Sequence, residues 1–322
     1  KQLTCNLTFD RFLITKISML TIYIEDGFLK EFEKMSPENS YGVKFLWELN
    51  SDGNDNHENC KFIFDDIVKT ADDLEKMFLS SKFKKKAGNG NSLTKSLENL
   101  ASAHLLFVTT ENKIKIETKG IILTLDDFEE RIKEYAAIDN FLGFLENKAE
   151  WSKLLVDLKK FPGNNFYMTD GYFFNNKKNI DFFTELFSDD WLNGSRCKIY
   201  TTIEMKDCNY KPEKTAEKKT LIKEQMAHLQ IKYDLQNIEV NKSDLDYKIQ
   251  WHDRELVTDY AIVMSGIGFK SNYADHTNNK ISQYNIFTKD GRRLIKEQLE
   301  RFNNYENQFE ESKRVFYPEP NG

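Results

Sequence analysis

The amino-acid sequence predicts an α/β protein with two domains. Residues 1–148 are expected to form a mixed α+β domain, and residues 149–322 a domain with a mostly parallel sheet and flanking helices. The chain has 322 residues, more than the roughly 100–200 that one domain usually takes. Its 25 Phe and 14 Tyr are enough to fill a sizeable core. Strand-like runs alternate with helix-like runs after residue 151, which is typical of a parallel sheet.

The N-terminal domain is predicted to begin with strands, because Leu13–Ile24 is rich in β-branched and aromatic residues. Apolar residues at helical spacing predict a helix over Asp72–Phe83. An acidic first turn predicts a long helix from Asp126 to about Lys148. Residues 104–125 are expected to form three strands in a meander. Further strands are predicted at Val43–Leu49 and Lys61–Ile67, and further helices at Phe28–Met35 and Leu93–Ala101.

The C-terminal domain is predicted to start with an amphipathic helix, Trp151–Phe161, which Pro162 and Gly163 end. Strands are predicted to follow at Asn165–Thr169, Lys198–Ile203, Asn237–Val240, Lys248–Trp251, Glu255–Thr258 and Ala261–Met264. The other predicted helices are Asn179–Phe187, Thr215–Leu229 and Arg292–Phe302.

Composition limits the classes of function. The formal net charge of −6 and the pI of about 5.6 exclude a generally basic nucleic-acid coat, but leave room for a local basic face around residues 206–223 and 292–296. Four cysteines without a CxxC pair predict reduced thiols and a cytoplasmic protein. We expect no signal peptide and no membrane span, because no run of 18 apolar residues exists. No metal or other cofactor is expected.

The sharpest motif lies in residues 251–270, where His252, Arg254 and Asp259 stand as H-x-R-x4-D, followed by Gly266 and Gly268. On a strand, residues 252 and 254 project from the same face. An imidazole beside an arginine that forks two hydrogen bonds onto phosphate oxygens suits attack on a phosphodiester. A carboxylate returning on the next strand can hold the imidazole in the right tautomer. The two glycines leave room for close approach of a ligand.

This pattern resembles the HKD motif of the phospholipase D superfamily, H-x-K-x4-D, with Arg254 in the lysine position. The predicted order of elements over residues 151–290 resembles that family's half-domain. The His-Asp-Arg opening is similar to that of the MIT-associated C-terminal domain and of bacterial relatives in conflict systems. The resemblance implies a hydrolase, a metal-independent phosphodiesterase of the nuclease type, in which His252 forms a phosphohistidine. It also implies a role in antiviral defence.

The resemblance further implies a homodimer. Family members bring two such motifs together, and none of the other four histidines is followed by Lys or Arg two residues later. Two copies of His252 would then meet across a dimer axis, with nucleic acid as the partner substrate. Further candidates for phosphate or substrate binding follow predicted strands or lie near the motif: Asp170, Glu204, His276, Arg292 and Arg293.

Other interpretations stay open. The domain is alternatively a catalytically silent binding module for a phosphate-bearing ligand or a protein partner. His252 and Asp259 alternatively form a buried hydrogen-bonded pair, with Arg254 in a salt bridge. The N-terminal domain is expected to sense a ligand or a protein partner. Its acidic residues near strand ends suit either a Mg²⁺ site or turn and capping roles: Asp26, Asp65, Asp66, Asp126 and Asp127.

Overall fold

The structure is a computed structural model. It describes residues 20–32, 34–36, 38–51, 60–64, 92–94, 100–111, 118–138, 141–144, 156–170, 173, 180–181, 183–184, 190–201, 212–233, 237–242, 254–265, 280–308 and 314–317. Helices accompany two β-sheets, which confirms the predicted α/β class.

The first sheet is parallel throughout the described part of the chain. Its strands are β1 (Leu20–Ile24), β2 (Cys60–Phe64), β3 (Ser92–Thr94), β4 (Leu105–Val108) and β5 (Ile121–Thr124), in the order β3-β2-β1-β4-β5. The middle strand of the predicted meander, Lys113–Glu117, lies outside the described residues. The meander is nevertheless wrong, since β4 and β5 pair directly with each other in parallel, whereas a meander would place its middle strand between them. The physical reason is burial on both faces: Ile22 and Ile24 enter one core cluster, while Tyr23 enters another. Continuous apolar runs of this kind are typical of parallel strands.

Within the described residues, three helices accompany this sheet: α1 (Asp26–Phe32), α2 (Tyr41–Ser51) and α3 (Phe128–Ala137). The strand predicted over Val43–Leu49 is wrong, because these residues belong to α2. Positions 42, 45, 46 and 49 are buried, which is the spacing of one helical face. The Ser40 hydroxyl caps the helix by accepting a 3.0 Å hydrogen bond from the Val43 N–H, as an N-cap serine does.

The second sheet has the strand order β13-β9-β8-β7-β10-β11-β12-β6. Its strands are β6 (Phe141–Phe144), β7 (Asn165–Thr169), β8 (Arg196–Thr201), β9 (Asn237–Lys242), β10 (Arg254–Thr258), β11 (Ala261–Ser265), β12 (Lys280–Asn285) and β13 (Arg314–Tyr317). Strands β7, β8 and β9 are parallel, as predicted. The other pairings of this sheet are antiparallel, so the expected mostly parallel sheet is a mixed one. A two-residue turn joins β10 to β11, and such turns join only antiparallel strands.

Strand β6 replaces part of the helix predicted over residues 126–148. Helix α3 ends at Ala137, and β6 pairs antiparallel with β12. The acidic residues at the start of this region favour a helix, whereas the later residues FLGF are aromatic and apolar and suit a strand. Strand β6 precedes residue 148 and yet belongs to the second sheet. The division of the chain near residue 148 stays a prediction.

The longest helices in the described part of the chain are α4 (Pro212–Tyr233) and α5 (Lys289–Gln308), and α5 packs on β11 and β12. The two ends of the second sheet have different surroundings. We call "site end" the end at which β7, β8, β9 and β11 finish and β10 and β12 begin. We call "junction end" the opposite end, where the Tyr260 hydroxyl donates a 2.9 Å hydrogen bond to the His104 carbonyl next to the first sheet. One core cluster includes residues of both sheets.

Candidate functional site

The structure describes half of the predicted site residues. Those in the described part of the chain are Asp170, Arg254, Asp259, Arg292 and Arg293. Those outside the described residues are Glu204, His252, Gly266, Gly268 and His276.

Arg254 and Asp170 lie together at the site end. β10 begins at Arg254 beside the end of β7, because Glu255 pairs with Thr169 in the antiparallel register. The Arg254 Nε lies 3.8 Å from the Asp170 Oδ1, and both side chains are buried. A buried carboxylate and a buried guanidinium each offset the other's loss of hydration. Two residues that were predicted separately therefore form one buried ion pair.

A second ion pair, with a buried carboxylate and a partly exposed guanidinium, lies next to the first along β10. The Glu255 carboxylate, 1% exposed, pairs with Arg301 of α5. The Glu255 N–H donates a 3.0 Å hydrogen bond to the Thr169 Oγ1, and the Asp170 N–H donates a 3.1 Å bond to the Tyr200 carbonyl. Sequence reasoning missed both members of this pair. A glutamate inside the strand-like run RELVT indicates a buried charge that needs a partner. The sequence does not indicate which residue that partner is, because Arg301 comes 46 residues later.

The strands that flank the five undescribed site residues meet at this same end. β10 and β12 begin at the site end, and β8 and β11 finish there. Parallel strands that finish at one end of an α/β sheet commonly border its ligand crevice. The predicted residues next in sequence to these strand ends are Glu204, His252, Gly266, Gly268 and His276.

Asp259 lies at the junction end, in the turn between β10 and β11. Its carboxylate accepts hydrogen bonds of 2.9 and 3.0 Å from the Asn165 amide, and its Oδ1 is 3.6 Å from the His104 Nε2. The residues 254 and 259 are separated by the length of β10, about 17 Å at the usual rise of a strand. The structure therefore does not bring Asp259 to Arg254, and the imidazole that Asp259 contacts is that of His104.

The junction end is a closed hydrogen-bonded arrangement. The His104 Nδ1 accepts a 2.9 Å hydrogen bond from the Thr21 N–H, so the proton of the neutral ring lies on Nε2, facing Asp259. Burial, and then the Asp259 carboxylate, raise the pKa of Tyr260. The Tyr260 hydroxyl consequently stays protonated and donates to the His104 carbonyl. This arrangement connects the two sheets.

Arg292 and Arg293 lie away from the site end. Arg292 is buried, pairs with Glu48 of α2, donates to the Ile286 carbonyl at 3.2 Å and covers the Phe45 ring at 5.4 Å. This corrects the expectation that Arg292 binds phosphate, because its guanidinium is committed to contacts inside the protein. The exposed Arg293 pairs with Glu297 at 2.9 Å. Arg301, which pairs with Glu255 near the site end, comes at least eight helical residues after both of them, about 12 Å along α5.

Other candidate chemistries find little support in the described part of the chain. Burial raises the pKa of the Cys197 thiol, which removes the thiolate that a nucleophile requires. Among the described residues, no three His, Cys, Asp or Glu side chains come together to hold a metal ion. Asp26 pairs with Lys30 at 2.6 Å, and the Asp127 carboxylate accepts a 2.7 Å hydrogen bond from the Thr124 N–H. Asp65 and Asp66 lie outside the described residues.

A scan against models of protein families gives no match, and a comparison with curated proteins gives no similar sequence. The helices that the structure describes include none that combines the length and the apolar character needed to cross a membrane. The functional argument therefore depends on the geometry of the site end and on the motif.

Proposed function

We propose that the chain is a metal-independent phosphodiesterase of the nuclease type, with its site at the site end of the second sheet. The observation that carries this proposal is the buried Arg254–Asp170 pair. It lies where β10 begins, two residues after His252 in the motif. A fixed guanidinium close to an imidazole is the combination that attack on a phosphodiester needs.

The proposed reaction uses few groups. A His252 nitrogen attacks the phosphorus, the bond from phosphorus to the leaving oxygen breaks, and a second, protonated histidine gives its proton to that oxygen. Water then releases the phosphate from the imidazole. Arg254 stabilises the charge that develops on the phosphoryl oxygens, while Asp170 fixes the position of Arg254. Because the sequence holds one H-x-R motif, the second histidine comes from a second copy of the chain, which makes the proposed enzyme a homodimer.

A second function, a silent binding module, is favoured by the same ion pair. Arg254 is only 8% exposed and lies beside a carboxylate that is 1% exposed. Its charge is thus largely offset within the protein, as in a salt bridge that only stabilises the fold. In this alternative the site end recognises a phosphate-bearing ligand or a protein partner and cleaves nothing.

Cleavage in the presence of EDTA distinguishes the two functions. DNA, RNA and a chromogenic phosphodiester are incubated with the wild type and with the variants His252→Ala, Arg254→Lys and Arg293→Lys. The enzyme proposal expects EDTA-resistant cleavage that His252→Ala abolishes. It also expects Arg254→Lys to keep part of the activity, because lysine retains the cation, and the exposed control Arg293→Lys to cleave normally. Cleavage that survives His252→Ala contradicts the proposal, and a wild type without cleavage favours the binding module.

The cellular role is proposed from the motif resemblance alone. We infer a cytoplasmic protein of a bacterial defence system, in which the N-terminal half senses a ligand or a protein partner. Expression in a bacterial host challenged with phage tests this role: protection that depends on His252 supports it, and equal plaque numbers with and without the protein contradict it.

A further inference from the structure

A groove of about 610 Å³ opens between the two halves of the protein, at the junction end. One wall comes from β5 and α3, and the other from residues 159–164 and the short 3-10 helix Asp190–Leu192. Protein pockets that bind small molecules commonly have volumes of about 300–1,000 Å³. β7 extends from this groove to the site end, so the two places are separated by about 17 Å of strand.

The groove is basic, although the protein is acidic. Four of its lining side chains are cationic and one is anionic: Lys119, Arg131, Lys159, Lys160 and Asp190. Two of the cations also have a carboxylate neighbour on their own helical turn, since Lys160 pairs with Asp157 at 2.8 Å and Arg131 lies 3.9 Å from Asp127. The Lys119 ammonium donates to the carbonyls of Asn193 and Gly194. The Arg131 guanidinium is held in place, because it donates to the Ile122 carbonyl and, at 2.9 Å, to the Tyr135 hydroxyl. A cationic groove with a positioned arginine favours an anion, above all a phosphate.

Aromatic rings lie beside these cations. The half-buried Trp191 is fixed by a 2.7 Å hydrogen bond from its Nε1 to the Phe161 carbonyl. Its ring packs closely on Gly163, because a Cβ there would lie 3.2 Å from the Trp191 Cε2, and 2.5 Å from the backbone oxygen of the same residue. Tyr135 packs against the Phe161 ring at 5.3 Å. Flat rings next to fixed cations provide a stacking surface for a base beside a site for its phosphates.

We propose that this groove binds a nucleoside phosphate across the two halves of the protein. Lys159 and Lys160 from the second half, with Lys119 and Arg131 from the first, contact the phosphates, and the base lies against Trp191. The site is separate from the proposed phosphodiesterase site and does not depend on it. A bound ligand would contact both halves and so raise the melting temperature of the protein.

Calorimetric titration of the full chain tests the proposal with ATP, AMP, adenosine and inorganic pyrophosphate. We expect ATP to bind and to quench tryptophan fluorescence, and adenosine and pyrophosphate to bind more weakly than ATP. Lys159→Glu/Lys160→Glu should weaken ATP binding about a hundredfold, near tenfold for each lost charged contact. The control variant Lys30→Glu/Lys34→Glu makes an equal charge change at exposed lysines outside the groove. Its affinity for ATP should be closer to that of the wild type. Circular dichroism and melting curves confirm that both variants fold.

Three results would overturn the proposal. The first is a wild type that binds no nucleotide, and the second is equal ATP affinity in both lysine variants. The third is binding that persists in Lys159→Glu/Lys160→Glu but disappears in Arg254→Lys, since it would place the nucleotide at the site end. Pyrophosphate that binds as tightly as ATP would overturn the assignment of a nucleoside. Failure of the EDTA-resistant cleavage assay leaves these expectations unchanged, because ATP binding should persist in His252→Ala.

Discussion

Arg254 shows how one residue serves both the fold and the proposed chemistry. It is buried at the start of β10, where the Asp170 carboxylate lies 3.8 Å from its Nε. Removal of one partner of such a pair leaves a charge buried without compensation. Replacement of both partners by groups of similar size removes the charges together. The pair is therefore a structural unit even if it also orients the cation toward a phosphate.

The burial of the Arg254–Asp170 pair leads to a prediction about the stability of the protein. Arg254→Met alone should lower the free energy of unfolding by about 3–5 kcal/mol, because it leaves the Asp170 carboxyl buried without the cation that compensates it. The double variant Asp170→Asn/Arg254→Met should recover most of that loss. Urea denaturation of both variants measures the difference, and Arg293→Met, at an exposed position, is the matched control. A double variant as unstable as the single one would contradict the account of the pair.

Sequence reasoning identified these two residues individually and could not pair them. Asp170 was a candidate because it follows a strand, and Arg254 because it belongs to the motif. Their contact depends on the antiparallel register between β7 and β10, which local pattern does not encode. Arg292 was expected at the site because it is basic and near the motif. Its partner Glu48 comes from α2, 244 residues earlier, so its burial could not be predicted.

At the scale of elements, α2 shows how tertiary contacts decide a helix. Its sequence VKFLWEL has the composition of a strand, yet the Glu129 carboxylate of α3 accepts hydrogen bonds of 2.8 and 2.7 Å from the first N–H groups of the helix, at Tyr41 and Gly42. The Ser40 hydroxyl also donates to Glu129. These contacts satisfy donors that a helix leaves open at its start.

The pKa of Glu129 makes this contact testable. Partial burial raises its pKa, but hydrogen bonds from Lys133, Ser40, Gly42 and Tyr41 outweigh burial and lower it from 4.5 to about 2. A carboxyl whose pKa is lower in the folded state contributes stability above the pKa of the unfolded chain. That contribution is lost as the pH falls from about 4.5 towards about 2.

Glu129→Gln should therefore destabilise the protein by about 1 kcal/mol at pH 7, the usual effect of losing a cap. The difference from wild type should shrink as the pH falls to 3. Denaturant unfolding at the two pH values measures it, with Glu130→Gln, exposed on the same helix, as the control. A difference of equal size at both pH values would show that the ionised carboxylate does not stabilise α2.

Element types were predicted best where one pattern dominated. β7 matches its predicted range, Asn165–Thr169, and α5 contains the predicted helix Arg292–Phe302. Strand β6 could not be predicted because its partner, β12, lies far along the chain. The parallel pairing of β4 with β5 could not be predicted because it needs a crossover connection between them. Local residue patterns report which face of an element is apolar. They do not report which neighbour covers it.

At the scale of the whole molecule, one core cluster includes residues of both sheets, and the sheets also meet through polar contacts at the junction end. The chain nevertheless separates its charges: the protein carries a net charge of −6, while most of the charged side chains that line the groove are cations. Net charge therefore predicted the absence of a generally basic surface and carried no information about this local basic groove. The proposed phosphodiesterase site lies at the opposite end of the second sheet.

Transfer of phosphate to His252 tests the central claim most directly. Wild-type protein is incubated in EDTA with a nucleic acid whose scissile phosphate is radiolabelled, quenched, and analysed by electrophoresis and mass spectrometry. The account predicts a protein-bound label that is labile in acid, stable in alkali and located on His252, and that is lost in His252→Ala. Cleavage by the wild type without any label on His252, or a label that persists in His252→Ala, would contradict the account.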